Sequence, residues 1–283
     1  MCGLCQAITT SVFLTGKVQS CKKAVKGLRM EKTGEIAKRL YDVTSEIGGE
    51  LPVEDVRIGI GYVGVKVAEK GLGLSALLMN ELQSGCSKLN LAGTLAGSPA
   101  LRLLKFLREG RNPLEKALGL ATANAIINPP IPEKESDTID LMGLTPDDRI
   151  AMVGFFQPVA ERIRKRGLNL FVIERDESRI EIPDDETRNK VLKECTAAII
   201  TATSIVNDTL EEILQRLGTP RHVVLLGPST PLCGEVFRDT PVNCLGGSVV
   251  TDAQRVLQII SEGGGTPEMR SHLRFANVLI SPN

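Results

Sequence analysis

Residues 149–206 read RIAMVGFFQPVAERIRKRGLNLFVIERDESRIEIPDDETRNKVLKECTAAIITATSIV. This stretch holds three apolar runs, Ile150–Phe156, Leu168–Ile173 and Ala197–Val206, separated by two charged segments with helical patterning. Apolar strand, amphipathic helix, apolar strand is the signature of a parallel sheet with helices on its faces, because strands buried on both sides lose the polar–apolar alternation. In such sheets ligands bind beyond the carboxyl ends of the strands. Those ends carry Phe155-Phe156-Gln157-Pro158, then Glu174-Arg175-Asp176, then Thr201-Ala202-Thr203-Ser204.

Downstream the alternation continues. Pro183-Asp184 opens the helix before the third strand, and Asp208-Thr209-Leu210-Glu211 reads as a capping box opening a helix that turns Leu210, Ile213, Leu214 and Leu217 inward. His222–Leu226 reads as a fourth strand ending in Gly227-Pro228-Ser229, and a fifth lies around Val242–Leu245, ending in Gly246-Gly247. Asp252 caps a last helix with Val256, Ile259 and Ile260 inward, stopped by Gly263-Gly264-Gly265. Right-handed crossovers make residues 141–283 an α/β, Rossmann-like domain of three layers around a parallel sheet.

Upstream, residues 129–140 are rich in proline and charge and read as a linker. Residues 30–128 read as a smaller α+β domain. Glu35–Ile47 places Ile36, Leu40, Val43 and Ile47 on one helical face. Val56, Ile58 and Ile60, then Val63, Val65 and Val67, alternate with Gly, Arg and Lys, and a turn at Glu69-Lys70-Gly71 leads into Leu72–Met79. This predicts an antiparallel meander of three strands whose glycines permit bulges or close approach of a helix. Ser98-Pro99 and Asn112-Pro113-Leu114-Glu115 open two helices. Asn124 and Asn128 share a face near the end of the second. Two readings stand for them: amides that cap or meet water, or, if that end abuts the second domain, ligand contacts.

Residues 1–29 form an extension that lacks a basic leader, so no signal peptide is read. Its Cys2-x-x-Cys5 pair and Cys21 lack the second pair that a structural zinc site wants. The 283 residues carry 34 basic and 34 acidic side chains, leaving no basic excess to draw nucleic acid. With no Trp and two Tyr, a stacking platform for single strands is absent as well. No apolar run approaches the roughly 18–20 residues that span a bilayer. Seven cysteines without regular spacing suit reduced thiols in the cytoplasm. A homo-oligomer is compatible with the sequence.

The turn after the first parallel strand has one glycine, Gly154, so the G-x-G-x-x-G dinucleotide fingerprint is missing, and no phosphate-binding G-x-x-x-x-G-K-S/T occurs. Glu174, about twenty residues beyond Gly154, stands where Rossmann proteins hold ribose hydroxyls. It reads equally as part of a surface ion-pair cluster with Arg175 and Asp176. Thr201, Thr203, Ser204, Asn207, Ser229 and the glycines at 227, 246 and 247 converge on the same edge. There, bare N–H groups and helix N-termini suit an anionic or hydroxyl-rich ligand; strand-to-helix turns also need such residues for their own sake. His222 and Cys195 precede their strands and face the opposite rim. Cys233 is the thiol nearest the pocket, Cys244 lies inside the fifth strand, and no Ser-His-Asp or Cys-His set assembles.

The motifs MVGFFQP, VIERD, ITATSIVNDTLEEIL, VVLLGPSTPL and LGGSVV together resemble a family of two-domain proteins named for heavy-metal chelation. VRIGIGYVGV, NLAGTLAGSP and NPLEKALGLATANAI are similar to its usual N-terminal partner domain. The resemblance covers nearly everything from residue 31 onward. It implies an enolase-N-terminal-like first domain, a Rossmann-like second domain and a site in the cleft between them. The matching positions are Phe156, Gln157, Glu174, Arg175, Thr201, Thr203, Asn207, Gly227, Ser229 and Gly247; Asn124 joins them from the helix reading above. The expected ligand is a small anionic molecule or a metal compound. The alternative is an enzyme of cofactor or metal metabolism, such as a transferase using an adenosyl- or pterin-like cosubstrate. Whether a metal ion or a nucleotide-like ligand is the cofactor stays open.

Overall fold

A computed structural model of the chain describes residues 34–82, 88–175 and 184–280. The expectations for residues 1–29, with the Cys2/Cys5 pair, and for Asp176 lie outside the described residues.

The chain begins with α1 (Glu35–Gly48), whose apolar stripe buries Ile36, Leu40 and Val43. Strands β1 (Val53–Ile58), β2 (Tyr62–Val67) and β3 (Gly71–Ala76) form the expected antiparallel meander in the order β1-β2-β3. The segment after Ser98-Pro99 forms two short helices, α2 (Ala100–Leu104) and α3 (Phe106–Glu109), where the sequence suggested one. Ser98 does not cap: its hydroxyl turns back to Leu95 O at 2.6 Å. The amides of Ala100 and Leu101 are already taken by the carbonyls of Leu51 and Gly49, so a cap has nothing to satisfy there. Helix α4 (Pro113–Ile127) does start as read. The Asn112 side chain accepts from Glu115 N at 3.0 Å, and Glu115 Oε2 accepts from Arg111 N at 2.7 Å.

Helix α4 is apolar on nearly every side, the mark of a fully enclosed helix. Gly73 shows how tightly β3 lies on it. A Cβ at that position would come within 2.1 Å of both Ala121 O and Ala125 N, so backbone meets backbone there and only glycine fits.

The second sheet is fed by α5 (Thr138–Leu141), β4 (Arg149–Val153), α6 (Gln157–Lys165), β5 (Asn169–Ile173), α7 (Asp185–Glu194), β6 (Ala197–Thr201), α8 (Thr203–Val206), α9 (Leu210–Arg216), β7 (His222–Leu226), β8 (Cys244–Val250), α10 (Ala253–Ser261), α11 (Thr266–Met269) and β9 (Leu273–Leu279). The strand order is β5-β4-β6-β7-β8-β9, with the first five parallel and β9 antiparallel to β8. The Rossmann-like α/β class therefore holds, with one strand more than the sequence reading. Pairing with β9 also carries β8 through Gly246 and Gly247, which face Asn277 and Ala276. These glycines lie inside a strand and not in the turn expected after it.

Successive residues of the central strands go to opposite sides. Ile150, Met152 and Ile199 join Ile139 and Ile163 under α5 and α6. Ala151, Ala198 and Ile200 join Leu192, Leu210 and Leu214 under α7 and α9, in a core continuous with Leu40, Leu104 and Leu118 of the first half. A third cluster packs Leu72 and Leu74 of β3 against Val256 and Ile260 of α10.

Polar fasteners cross the same boundary. The expected capping box at the start of α9 does not close, because Glu211 is drawn elsewhere. Its buried carboxylate accepts from Ile36 N, at the start of α1, at 2.9 Å, and Thr209 makes no side-chain cap. Gly34, preceding α1, offers no side chain, so the helix is capped from the other half of the molecule. The buried Arg39 guanidinium donates to Val236 O and Arg238 O at 3.3 and 2.8 Å. Lys116 Nζ meets Asp208 Oδ1 at 2.7 Å, and Tyr62 shares a 2.7 Å hydrogen bond with Thr266.

Candidate functional site

The carboxyl ends of β4, β5, β6 and β7 form one rim, and the first half of the chain abuts it. In the order β5-β4-β6 the three strands are parallel, but the chain leaves β4 to one side for β5 and comes back to its other side for β6, and this reversal of strand order is the place where open α/β sheets leave a crevice. Gly154 and Thr201 meet there. Gly154 has φ +85°, and a Cβ on it would sit 2.7 Å from Thr201 Cγ2. Thr201 Oγ1 and Thr203 Oγ1 share a hydrogen bond of 2.8 Å, a hydroxyl pair at the tip of β6.

Beside them Glu174 follows the last residue of β5 and is 8% exposed. Its Oε2 accepts from Phe155 N at 2.9 Å and its Oε1 from Arg175 N at 2.7 Å. Glu174 thus ties the β4–α6 turn to the tip of β5. Arg175 reaches the other way, with its side chain 59% exposed. The Asn207 amide is oriented by its neighbours: its oxygen accepts from Arg175 Nη1 at 2.6 Å, and its nitrogen donates to Thr209 Oγ1 at 2.7 Å and Ser204 O at 3.1 Å. A charge partner for Arg175 comes from the first half, where Glu81 Oε1 lies 3.3 Å from Nη1 as an ion pair. No pattern in the sequence marks Glu81, which sits in a short 3-10 turn after β3.

Across the rim, Gly227 has φ +118° and the Phe156 ring lies over it; a Cβ there would be 3.4 Å from Phe156 Cε1. The following turn is held from outside its own sheet. Ser229 Oγ accepts from Ala76 N at 2.7 Å. Asn124 Nδ2 donates to Ser229 O at 2.9 Å and to Leu74 O at 2.8 Å. So the Asn124 end of α4 does abut the second sheet, and its amide nitrogen is engaged by protein carbonyls. Asn124 Oδ1 and the buried Thr230 Oγ1 have no hydrogen-bond partner.

Of the expected residues, the fold gathers Glu174, Arg175, Thr201, Thr203 and Asn207 at one side of the rim, and Asn124 with Ser229 at the other; Phe156 and Gly227 lie between. Gln157 stands apart, donating to Glu161 Oε1 at 2.9 Å along the exposed face of α6. Gly247 is enclosed, since a Cβ would meet Thr230 O at 2.9 Å. Two hollows lie away from this rim. One, of about 500 Å3, runs along Asp55, Val56 and Leu114. The other, of about 390 Å3, lies by Ile58, Ile60, Met79 and Gly263.

A bare heavy-metal ion does not fit the donors at the rim. Hydroxyls, an amide and a guanidinium surround one carboxylate whose oxygens already hold backbone amides, whereas soft ions want thiolate or imidazole. Among the described residues no three His, Cys, Asp or Glu side chains converge as metal ligands. Cys195 lies at the opposite rim, its thiol directed at Leu192 O. Cys244 is inside β8, where burial pushes its pKa up to about 11 and keeps it protonated at neutral pH. Among the described residues no helix is long and apolar enough to cross a membrane.

Comparison with known proteins agrees with this architecture. The chain is similar to an uncharacterized protein of Methanocaldococcus jannaschii, 25% identical over 237 residues, which are 79% of this chain and 88% of the relative. A crystal structure of a protein of unknown function from Pyrococcus horikoshii superposes with a TM-score of 0.72 at 24% identity, covering 87% of this chain and 99% of that one. A second, from Desulfitobacterium hafniense, gives 0.68 at 21% identity, covering 86% and 98%. Both were described as members of the DUF364 family, and at these identities they speak for the fold alone. A family model described as "Putative heavy-metal chelation" matches residues 41–127, and the DUF364 model, with the same description, matches residues 137–279: the chain belongs to this family.

Proposed function

We propose that the protein binds a small anionic ligand, such as a metal compound carrying its own anionic groups, at the seam between the strand tips and the first half of the chain. The observation that carries this reading is Arg175. It is a half-exposed cation, held in place by Asn207, at the same strand-tip rim as the Thr201/Thr203 hydroxyl pair. Gly154, in left-handed backbone, lets the turn after β4 close against Thr201. A positioned guanidinium with hydroxyls is the chemistry that recognises carboxylate, phosphate or oxyanion groups. The family description agrees with a metal-bearing ligand, and the donor set favours one that arrives already complexed.

Calorimetry on the full chain with orthophosphate, molybdate and divalent metal ions tests the reading. The expected result is oxyanion binding that Arg175→Met abolishes, with stability within about 0.5 kcal/mol of wild type, as for an exposed side chain. Binding of bare divalent ions with no response to oxyanions would overturn it.

One observation favours a second reading, an enzyme using an adenosyl- or pterin-like cosubstrate. Glu174 occupies the end of β5, next to the left-handed Gly154 turn, as a ribose-binding carboxylate does. A thermal-shift screen of adenosyl and pterin compounds checks it. A shift that survives Glu174→Gln unchanged removes the ribose role.

A further inference from the structure

We infer that Glu81 is a built-in counter-ion for the anion site, occupying Arg175 until a ligand displaces it. This inference rests on the reading of Arg175 as the ligand-binding cation. The ion pair crosses the seam at 3.3 Å and both side chains are open to solvent, Glu81 36% and Arg175 59% exposed. Neither is trapped, so exchange of one carboxylate for another anion needs no rearrangement of the core.

The two partners of Arg175 differ in kind. Asn207 is neutral, held by Thr209 and Ser204 on its own half, and keeps the guanidinium in position without cancelling its charge. Glu81 is anionic, belongs to the other half, and sits in the Met79–Glu81 turn close behind β3. That turn is set at a fixed distance because Ala76, the last residue of β3, is fastened to Ser229 at the rim. When Glu81 swings away, the cation stays where Asn207 holds it. An incoming oxyanion then takes the place of the carboxylate beside the guanidinium, so that one anion replaces another at that cation. Exposed ion pairs of this type are weak, so the contact sets a threshold for occupancy and does not block the site.

The test is titration of the full chain with orthophosphate and molybdate at low ionic strength, where exposed charges are least screened. Glu81→Gln is expected to tighten binding about two- to fivefold, the size of an exposed pair. Glu54→Gln, which removes an equally exposed acid paired with Lys66 at 2.8 Å, is expected to leave binding unchanged. Equal affinity of wild type and Glu81→Gln, or equal tightening by Glu54→Gln, overturns the counter-ion role while the anion site stands. Absence of binding to wild type and Glu81→Gln alike overturns the site itself.

Discussion

The two rims of the parallel sheet are built in opposite ways. At the amino ends of its strands, polar groups satisfy one another within the sheet's own half. Asp148, just before β4, accepts from Thr145 N at 2.7 Å, from Thr196 Oγ1 at 2.8 Å and from Arg221 Nε at 3.1 Å, and it also pairs with Arg221 Nη2. Asn243, just before β8, accepts from Val223 N at 3.0 Å and donates to Arg221 O at 2.9 Å. The starts of β4, β6, β7 and β8 are thereby laced into one lattice. At the carboxyl ends the lacing comes from elsewhere: Ser229 is held by Ala76 and Asn124, and Arg175 is met by Glu81. A self-satisfied rim serves stability. A rim completed from outside, with a cation left half open, is where a ligand can take the place of a protein group.

Substitutions can break this contrast, beginning where the effect is largest. Gly73→Val puts branched carbon into the backbone of α4 and separates β3, the supplier of the upper rim, from its support. The expected loss is about 3 kcal/mol or more in urea denaturation, at the high end for overpacking, together with loss of oxyanion binding. Asp148→Asn strikes the lower rim. Removal of the charge from a buried, hydrogen-bonded carboxylate whose guanidinium partner is partly exposed is expected to cost about 2 kcal/mol, with oxyanion affinity unchanged.

This second variant carries a pH signature. The Arg221 guanidinium holds the Asp148 carboxyl well below the usual carboxylate range, although burial pulls the other way. A depressed native pKa stabilises the fold above the unfolded-state value of about 3.9, and this contribution fades as pH falls from there toward the native value. The stability gap between wild type and Asp148→Asn should therefore be constant near neutrality, begin to narrow below about pH 4 and go on narrowing as pH falls further, as followed by urea midpoints. A gap that does not narrow at all between about pH 5 and about pH 2 would mean that the rim is held by packing and not by this charge.

Ser229→Ala is the mildest of the three. It leaves Ala76 N without its acceptor and should cost about 1 kcal/mol. It should speed hydrogen exchange at the Ala76 amide and weaken oxyanion binding without abolishing it. If exchange at Ala76 stays slow, the upper rim does not depend on this fastener.

Much of this architecture was legible in the residues. The run at 222–226 matches β7 residue for residue, and the run read from Ala197 to Val206 begins with β6 but turns into a short helix after Thr201, because continuous apolar stretches bounded by turn residues leave few alternatives. The parallel topology then located Glu174, Thr201 and Ser229 on one edge before any coordinates. What stayed hidden depends on distant partners. The run LRFANVL gives no clean alternation, since β9 is an edge strand with a mixed burial pattern, and its register comes from β8. The capping pattern at 208–211 was misleading because Glu211 has a better partner in Ile36, 175 residues away in the chain. Asn124 was visible as an amide on the right face, yet its bond to Ser229, 105 residues on, is a product of tertiary packing.

The cap that Glu211 places on α1 also bears on how the protein is made. A ribosome releases α1 early, while the acceptor for its first amide is still many codons away. The helix emerges with an unfinished end and gains its final hydrogen bond only after α9 has been synthesised and docked. Separate expression of the leading half should accordingly yield an α1 that frays at Ile36, and a gene split between the two halves would have to bring them back together to mend it.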